Sequence, residues 1–339
     1  MRPKSSQEPT RSPCGHICAP RATAPSVRDR VLDSTIIRSP DPLQPRQIPT
    51  RMDLSLILVS HRSREPLLAC LRALRTDAQA TGIRTETVVV DNDSRDGTLE
   101  ALAAEFPDAH FIANRENTGY ARAVNQGLAA TGAPFALVLN PDCVVQTGAL
   151  RALLDHAAAR PRTGLTGPKI LNPDGSLEYS ARSFPDQFTF LFNRYSLLTR
   201  LFPDNRFSRR YLLTDWDHAS VREVDWISGA CMLARRAAVE QVGGMDGAFF
   251  MFNEDVDWCR RMKLAGWTVT YEPAAVVVHH IGASRSRVAA RVIWGRHLGM
   301  IHYFHKHHPK SPLFSFPADA LILLRAALMV LANALRLRG

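Results

Sequence analysis

The sequence predicts an α/β fold built on a doubly wound, mainly parallel central sheet. Three observations point to it. From Leu54 onward, short runs of Val, Ile and Leu alternate with helix-length amphipathic stretches. The apolar runs are nearly continuous, as in strands buried on both faces. Polar residues gather just past the ends of those runs, at Ser60-His61, Asp91–Ser94 and Asn140–Asp142, where open α/β sheets bind ligands.

Taken in order, Leu54–Ser60 reads as a buried strand and Glu65 to about Ala80 as a helix. Glu86–Asp91 is a strand, Thr98–Glu105 a helix, His110–Ala113 a strand and Tyr120–Ala130 a helix. Phe135–Asn140 is a strand and Gly148–Ala159 a helix. After about Pro161 the alternation weakens. Asn172–Gly175 reads as a turn, and residues 181–215 are aromatic and basic without a clean period. Order returns with an apolar strand over Val224–Leu233 and a helix through Val242, broken by Gly243-Gly244. Phe249–Asn253 leads into a helix from Glu254 to about Ala265, stopped by Gly266. Two short strands are expected at Thr268–Tyr271 and Ala275–His279.

Composition narrows the class. With 45% hydrophobic and 22% charged residues, wholesale disorder is excluded. No run of 18 or more uninterrupted apolar residues exists, which argues against an ordinary transmembrane helix. Six scattered cysteines make no disulfide scaffold and fit a reducing cytoplasmic compartment. The formal charge of +10 favours anionic partners. Residues 1–51 hold 9 of the 22 prolines, with nine Lys/Arg against four Asp/Glu and no hydrophobic period. They read as a disordered basic tail lacking a secretory signal, with translation expected to start at Met52. Cys14 and Cys18 resemble half of a zinc knuckle, but no second pair follows nearby.

Three acidic clusters can do chemistry. Asp91, Asp93 and Asp96 surround a strand-to-loop turn closed by Gly97; they read either as turn formers or as a pocket for a base and ribose. Asp142, after an apolar strand, reads as a plain turn residue or as a ligand for Mg²⁺ or Mn²⁺ bridging phosphates. Asn253–Asp257 opens a helix, with Asn253 as a candidate N-cap and the acids favourable to the helix dipole. The four apolar residues before it suggest instead a carboxylate against an apolar wall, suited to general-base work. His279-His280 ends a strand and reads as structural or as a nitrogen ligand.

In their order these segments resemble the family 2 glycosyltransferases of GT-A fold, and most the bacterial rhamnosyltransferase-like branch. The matching stretches are Leu56–His61, Val88–Thr98, Asn117–Gly127, Leu139–Asp142, Gly167–Gly175, Asp225–Ala230, Gly244–Asp257 and His279–Ser284, covering roughly residues 54–310. The resemblance implies an inverting transfer of a sugar from a nucleotide-sugar donor to a hydroxyl of a glycan or lipid-linked glycan in cell-surface polysaccharide synthesis. The favoured donor is dTDP-rhamnose, with a UDP- or GDP-sugar as alternative. It places Ser60, Asp91 and Asn92 at the nucleotide base, and Asn117, Gly119 and Asn125 along the donor. Asn140 stands where the metal motif has its first carboxylate, leaving Asp142 and His279 as the divalent-cation ligands, with His280 in reserve. Asp255 becomes the catalytic base with Glu254 beside it, and Trp226, Gly229 and Ala230 line the acceptor side; core packing is the other reading of Trp226.

The implied layout is a GT-A domain over 52–311, with a nucleotide-binding half at 52–160 and an elaborated acceptor and catalytic half at 161–311. Arg285, Arg287, Arg291, Arg296 and His305–His308 form a cationic stretch. Residues 312–339 form an amphipathic helix in which Arg325 and Arg336 share a polar stripe. That helix reads as a peripheral membrane contact through 313–339, at the inner face of the plasma membrane, or as a helix packed on the domain or on a second copy. An oxidoreductase is disfavoured, because Ser-His-Arg-Ser-Arg follows the first strand where a glycine-rich turn is needed. Nucleic-acid binding is disfavoured too, since half the net charge lies in the tail and no recognition motif is present. Oligomeric state stays open.

Overall fold

The computed structural model describes residues 31–33, 52–186, 205–280, 290–308 and 312–336. Cys14 and Cys18, most of the aromatic stretch after 186, and Arg285 and Arg287 lie outside the described residues.

The first half is built as its pattern predicts. Strands β2 (Leu54–Ser60), β3 (Thr85–Asp91), β4 (His110–Ala113) and β5 (Phe135–Leu139) alternate with helices α1 (Arg64–Thr81), α2 (Thr98–Glu105) and α3 (Tyr120–Ala129). They pair in parallel in the order β4-β3-β2-β5. Both faces of the strands are covered. Leu54, Leu56 and Leu58 pack with α1 and α4 (Ala149–Ala159), whereas Ile57 and Val59 pack on the other side with α3. That two-sided burial is why the middles of these strands are continuously apolar, as at Leu56–Val59 and Val88–Val90. Val31–Asp33, in the segment expected to lack regular structure, forms β1 and extends the sheet by pairing in parallel with β4. The unpaired edge of β4 offers main-chain donors and acceptors that an extended segment can satisfy.

The second half is mixed. Strand β12 (Cys231–Arg235) runs antiparallel between β5 and β7 (Thr163–Leu171), and β13 (Thr268–His279) lies parallel to β7. Short strands β6 (Cys143–Val145), β8 (Leu177–Glu178) and β10 (Arg222–Glu223) pair at its margins. A separate two-stranded ribbon joins β9 (Ala181–Arg182) to β11 (Trp226–Ile227). Helices α5 (Arg206–Leu212), α6 (Arg236–Val242) and α7 (Glu254–Leu264) belong to this half, and α8 (Ala290–His307) and α9 (Pro312–Arg336) follow it.

Two expectations are corrected here. The two strands expected at 268–271 and 275–279 are one strand, β13, whose register with β7 shifts between Glu272 and Val276. Pro273 lies in that shift, where a missing N–H is tolerated in a bulge. Conversely, the single strand expected over 224–233 is two, because Ser228–Ala230 turns the chain from the small ribbon into the main sheet. The chemistry gathers around that turn.

Candidate active site

The carboxyl ends of β2, β3 and β5 and the end of β13 converge on one edge of the sheet. Asp91 is buried there, accepting hydrogen bonds from the Ser94 main-chain N–H (3.1 Å) and hydroxyl. Burial outweighs these bonds and lifts its pKa above the ordinary value. The other two acids of this cluster are turn chemistry: Asp93 pairs with Arg95, and Asp96 accepts from Thr98 at the start of α2. Ser60 is buried and shares a 3.0 Å hydrogen bond with the Ser63 hydroxyl.

Asn92, expected at the nucleotide base, and Asn117, Gly119 and Asn125, expected along the donor, hold the surrounding loops together. The Asn92 amide donates to Asn117 Oδ1 (2.9 Å) and to the Gly119 carbonyl (3.3 Å). Its Oδ1 accepts from Asn114 and from the Thr118 main chain, both at 3.0 Å. With both donors used, Asn92 stitches β3 to the 114–119 loop. Asn117 completes the stitch, accepting from the Gly119 N–H at 3.0 Å. Gly119 has φ +89°, and a Cβ there would lie 2.6 Å from the Phe250 carbonyl oxygen. Its close approach is therefore to the 249–253 loop, sealed by a Tyr120 N–H to Phe250 carbonyl bond of 2.7 Å. The Asn125 amide clasps the Met245 main chain, donating at 2.7 Å and accepting at 2.8 Å.

Asn140 and Asp142 follow β5. The Asn140 N–H donates to the Ala230 carbonyl at 2.9 Å, fixing this loop to the 228–230 turn. Ala230 is buried, and it is not among the residues lining the cavity beside Asp255. His279 sits between two carboxylates, with Nε2 3.2 Å from Asp142 Oδ1 and Nδ1 2.9 Å from Glu178 Oε2. Burial works against a charged ring, but hydrogen bonds that its N–H groups donate to Asp142 and Glu178 prevail, raising the pKa to about 9. Ligand atoms of Asp142, Cys143 and His279 all lie within 4.8 Å of one another. Cys143 is turned away in function: its buried thiol donates to the Ala230 carbonyl, and burial raises its pKa well above the usual value. His280 is exposed and only its main chain is engaged, with Asp142. An imidazole and a carboxylate, with a second carboxylate orienting the ring through its other nitrogen, suit a hard or borderline divalent cation. Glu178 was not anticipated; it lies where the sequence loses its period, and only β8 pairing with β7 brings it to His279.

Asp255 lies across the 228–230 turn. Its Oδ2 accepts from the Gly229 N–H and its Oδ1 from its neighbour Val256 N–H, both at 2.9 Å. A Cβ on Gly229 would come within 3.2 Å of the Asp255 side chain, which accounts for glycine there. Burial raises the pKa of Asp255. Glu254 is buried with Oε2 lacking a hydrogen-bond partner among the described residues, and burial, followed by the nearby Asp255 charge, pushes its pKa well up. Burial raises both neighbours, but at Asp255 the Gly229 and Val256 N–H donors oppose the rise. Asn253 precedes α7 with φ +69° and makes no side-chain cap; its amide donates to the Arg296 carbonyl instead.

Asp255 opens into a cavity of about 260 Å³ lined also by Arg182, Trp226, Arg296, Tyr303 and Arg325. Trp226 is buried, its Nε1 donates to the Ser183 carbonyl at 2.8 Å, and it is one of the residues lining the cavity. Arg182, Arg296 and Arg325 were not singled out by the sequence as neighbours of the base. They come from three distant segments, and no local spacing links them.

The sequence model of the family described as "Glycosyltransferase like family 2" matches residues 51–293, well over half of the chain. The chain belongs to this glycosyltransferase family. It is 34% identical over 281 residues to the N-acetylglucosaminyl-diphospho-decaprenol L-rhamnosyltransferase of Mycobacterium tuberculosis, covering 79% of this chain and 90% of that one. It is 24% identical over 233 residues to the rhamnosyltransferase WbbL of Escherichia coli K12, covering 66% and 82%. The mannosyltransferase PcManGT of Pyrobaculum calidifontis, solved with GDP-Man and Mn²⁺, shares its fold at a TM-score of 0.51. That likeness has 17% identity and spans 85% of this chain and 80% of that one. The GT-A fold and the nucleotide-sugar-dependent transferase class expected from the sequence are borne out.

Proposed function

We propose that this glycosyltransferase moves L-rhamnose from dTDP-rhamnose to a hydroxyl of a diphospholipid-linked glycan, at the cytoplasmic face of a membrane. The observation that carries the reading is the division of the site by the 228–230 turn. Asp142 and His279 stand on one side, and Asp255 with its cavity stands on the other. The relatives' rhamnosyltransferase activities supply the sugar and the lipid diphosphate.

In this reading Asp91 and Ser60 face the donor base, and the loop stitched by Asn92 and Asn117 shapes the donor groove. Asp142 and His279 would hold a divalent cation, Mn²⁺ or Mg²⁺, with Glu178 keeping the imidazole in register. When bound, such an ion supplies positive charge to the leaving nucleoside diphosphate. Asp255 takes the proton from the acceptor hydroxyl as that oxygen attacks the anomeric carbon from the face opposite the leaving group, which inverts the centre. Glu254, whose pKa burial pushes well up, lies beside the base.

Helix α9 supports the membrane side of the proposal. Its stretch Ser315–Ala334 has mean hydropathy 1.7, and only 11% of its most apolar window is buried. Leu321, Leu324, Leu328 and Leu331 form an exposed stripe, whereas Ile322 and Ala326 are buried. The absence of an uninterrupted apolar run therefore understated this segment, which is long and apolar enough to span a bilayer. Because Ile322 and Ala326 are buried and Arg325 lines the cavity, the helix is read as lying in the interface.

Titration of the full chain with dTDP, UDP and GDP, with and without Mn²⁺, tests the donor. Metal-dependent binding confined to dTDP supports rhamnose; a preference for UDP or GDP keeps the enzyme class and overturns the donor.

A further inference from the structure

The loops that leave the carboxyl ends of β2 and β3 hold a backbone conformation that side chains ordinarily avoid. Arg62 (φ +54°), Asp93 (φ +69°) and Arg95 (φ +53°) all adopt left-handed angles, a region unfavourable to residues that carry a Cβ. They flank the strand ends where Ser60 and Asp91 stand. Such a cluster persists only where surrounding bonds over-determine it. Here the bonds converge on Ser94, which is buried between Asp93 and Arg95 in sequence and is bonded to both loops.

The bonds of Ser94 have a direction. The Arg62 main-chain N–H donates to Ser94 Oγ at 2.9 Å. Because that oxygen accepts from an N–H, its own proton is left to donate, and it goes to Asp91 Oδ1. The Ser94 N–H donates to Asp91 Oδ2 at 3.1 Å. One residue therefore holds both carboxylate oxygens, fixing the plane of the group while leaving each oxygen further acceptor capacity. The same bonds oppose the rise that burial imposes on the Asp91 pKa, so they favour its acceptor form. Closing the turn on Asp91 needs only the Ser94 N–H. The hydroxyl does something more, since it ties Asp91 to the β2 loop. A second tie, His61 Nδ1 to the Asn92 carbonyl at 2.8 Å, holds the two loops together beside it.

We propose that Ser94 is a positioning residue for donor recognition: its hydroxyl, held by the Arg62 N–H, aims the Asp91 carboxylate at the donor base. The proposal rests on the reading that Asp91 faces that base, and it adds the residue that sets the angle of approach. Ser94 acts through Asp91, and the strained loops on either side are what bring its N–H and hydroxyl to the two carboxylate oxygens together.

The test titrates the full chain with dTDP and, separately, with pyrophosphate, which has neither base nor sugar, both with Mn²⁺ present. Ser94→Ala should weaken dTDP binding by about tenfold and leave pyrophosphate binding unchanged. Ser94→Thr, which keeps the hydroxyl, should retain most of the dTDP affinity. On an Asp91→Ala background, Ser94→Ala should cost nothing further, because no carboxylate is left to position. Undiminished dTDP binding in Ser94→Ala, or a full second loss in the double variant, overturns the proposal. An equal loss of pyrophosphate affinity overturns it too, by assigning Ser94 to the folding of the turn. The Asp91→Ala chain alone separates the two readings. If it binds dTDP normally, Asp91 does not face the base and the functional reading of that residue fails; if it binds dTDP weakly while Ser94→Ala binds normally, only the role of Ser94 fails.

Discussion

Asp255 and Glu254 are adjacent in sequence and burial raises the pKa of both, but main-chain donors oppose the rise at Asp255. Two N–H groups point at Asp255, whereas the buried Glu254 Oε2 has no partner among the described residues. Asp255→Asn should reduce kcat by at least about a hundredfold while leaving dTDP affinity intact; turnover near normal would remove it as the base. The pH profile has a defined sign. A base works deprotonated and burial raises this pKa, so kcat should fall on the acid side at a pH above the ordinary carboxylate range, near 3.8. Glu178 acts one step removed, through the His279 ring at 2.9 Å. Glu178→Gln should weaken Mn²⁺-dependent dTDP binding by roughly tenfold or more, as loss of an orienting partner does, with metal-free binding unchanged. Equal binding in both would make Glu178 a packing residue.

At the scale of elements, what fixes the base is the anchoring of α7 to its neighbours. Asp257, fully buried one turn into α7, pairs with Arg261 at 2.8 Å, with Lys306 of α8 at 2.8 Å and with His307 at 2.7 Å. Burial opposes its charge, but these partners outweigh burial and depress its pKa below 3.8. A depressed carboxylate contributes stability that is fully present above the unfolded value and is lost as pH falls through the folded one. Unfolding at acid pH should therefore begin below pH 3.8, with α8 detaching from α7. Asp257→Asn should cost on the order of 3 kcal/mol at neutral pH, since it leaves buried cations without their counter-charge. Thermal or urea denaturation measures it, and a loss below 1 kcal/mol would show the network to be ornamental.

For the whole molecule, the cavity beside Asp255 and an exposed leucine stripe share one helix. The same α9 presents leucines outward and Arg325 inward to the cavity. A bilayer on the leucine stripe would thus bring lipid-borne substrate to the mouth of the cavity. Each leucine withdrawn from water contributes about 1.5–3 kcal/mol. Replacing Leu321, Leu324 and Leu328 together by serine should lower partition into anionic vesicles by at least about a hundredfold, leaving dTDP binding unaltered. Unchanged partition would assign the stripe to a protein contact.

The first half of the fold was legible in the sequence, to the residue at α2 and β4, because parallel strands buried on both faces carry continuous apolar runs such as Leu56–Val59 and Val88–Val90. The sequence by itself also determined the family, and the positions of Asp91, Asp142, Asp255 and His279, because strand ends and a helix start are local features. It did not reveal that Asn92 and Asn125 are tied into loops, since an amide's partners are set by which segments meet. Nor did it show the break at 228–230, where a steric limit at Gly229 is imposed by Asp255 across the fold. Glu178 beside His279 and the gathering of Arg182, Arg296 and Arg325 were decided only by tertiary structure. Charges brought together from distant segments leave no periodicity, and their energy exists only once the chain has folded around them.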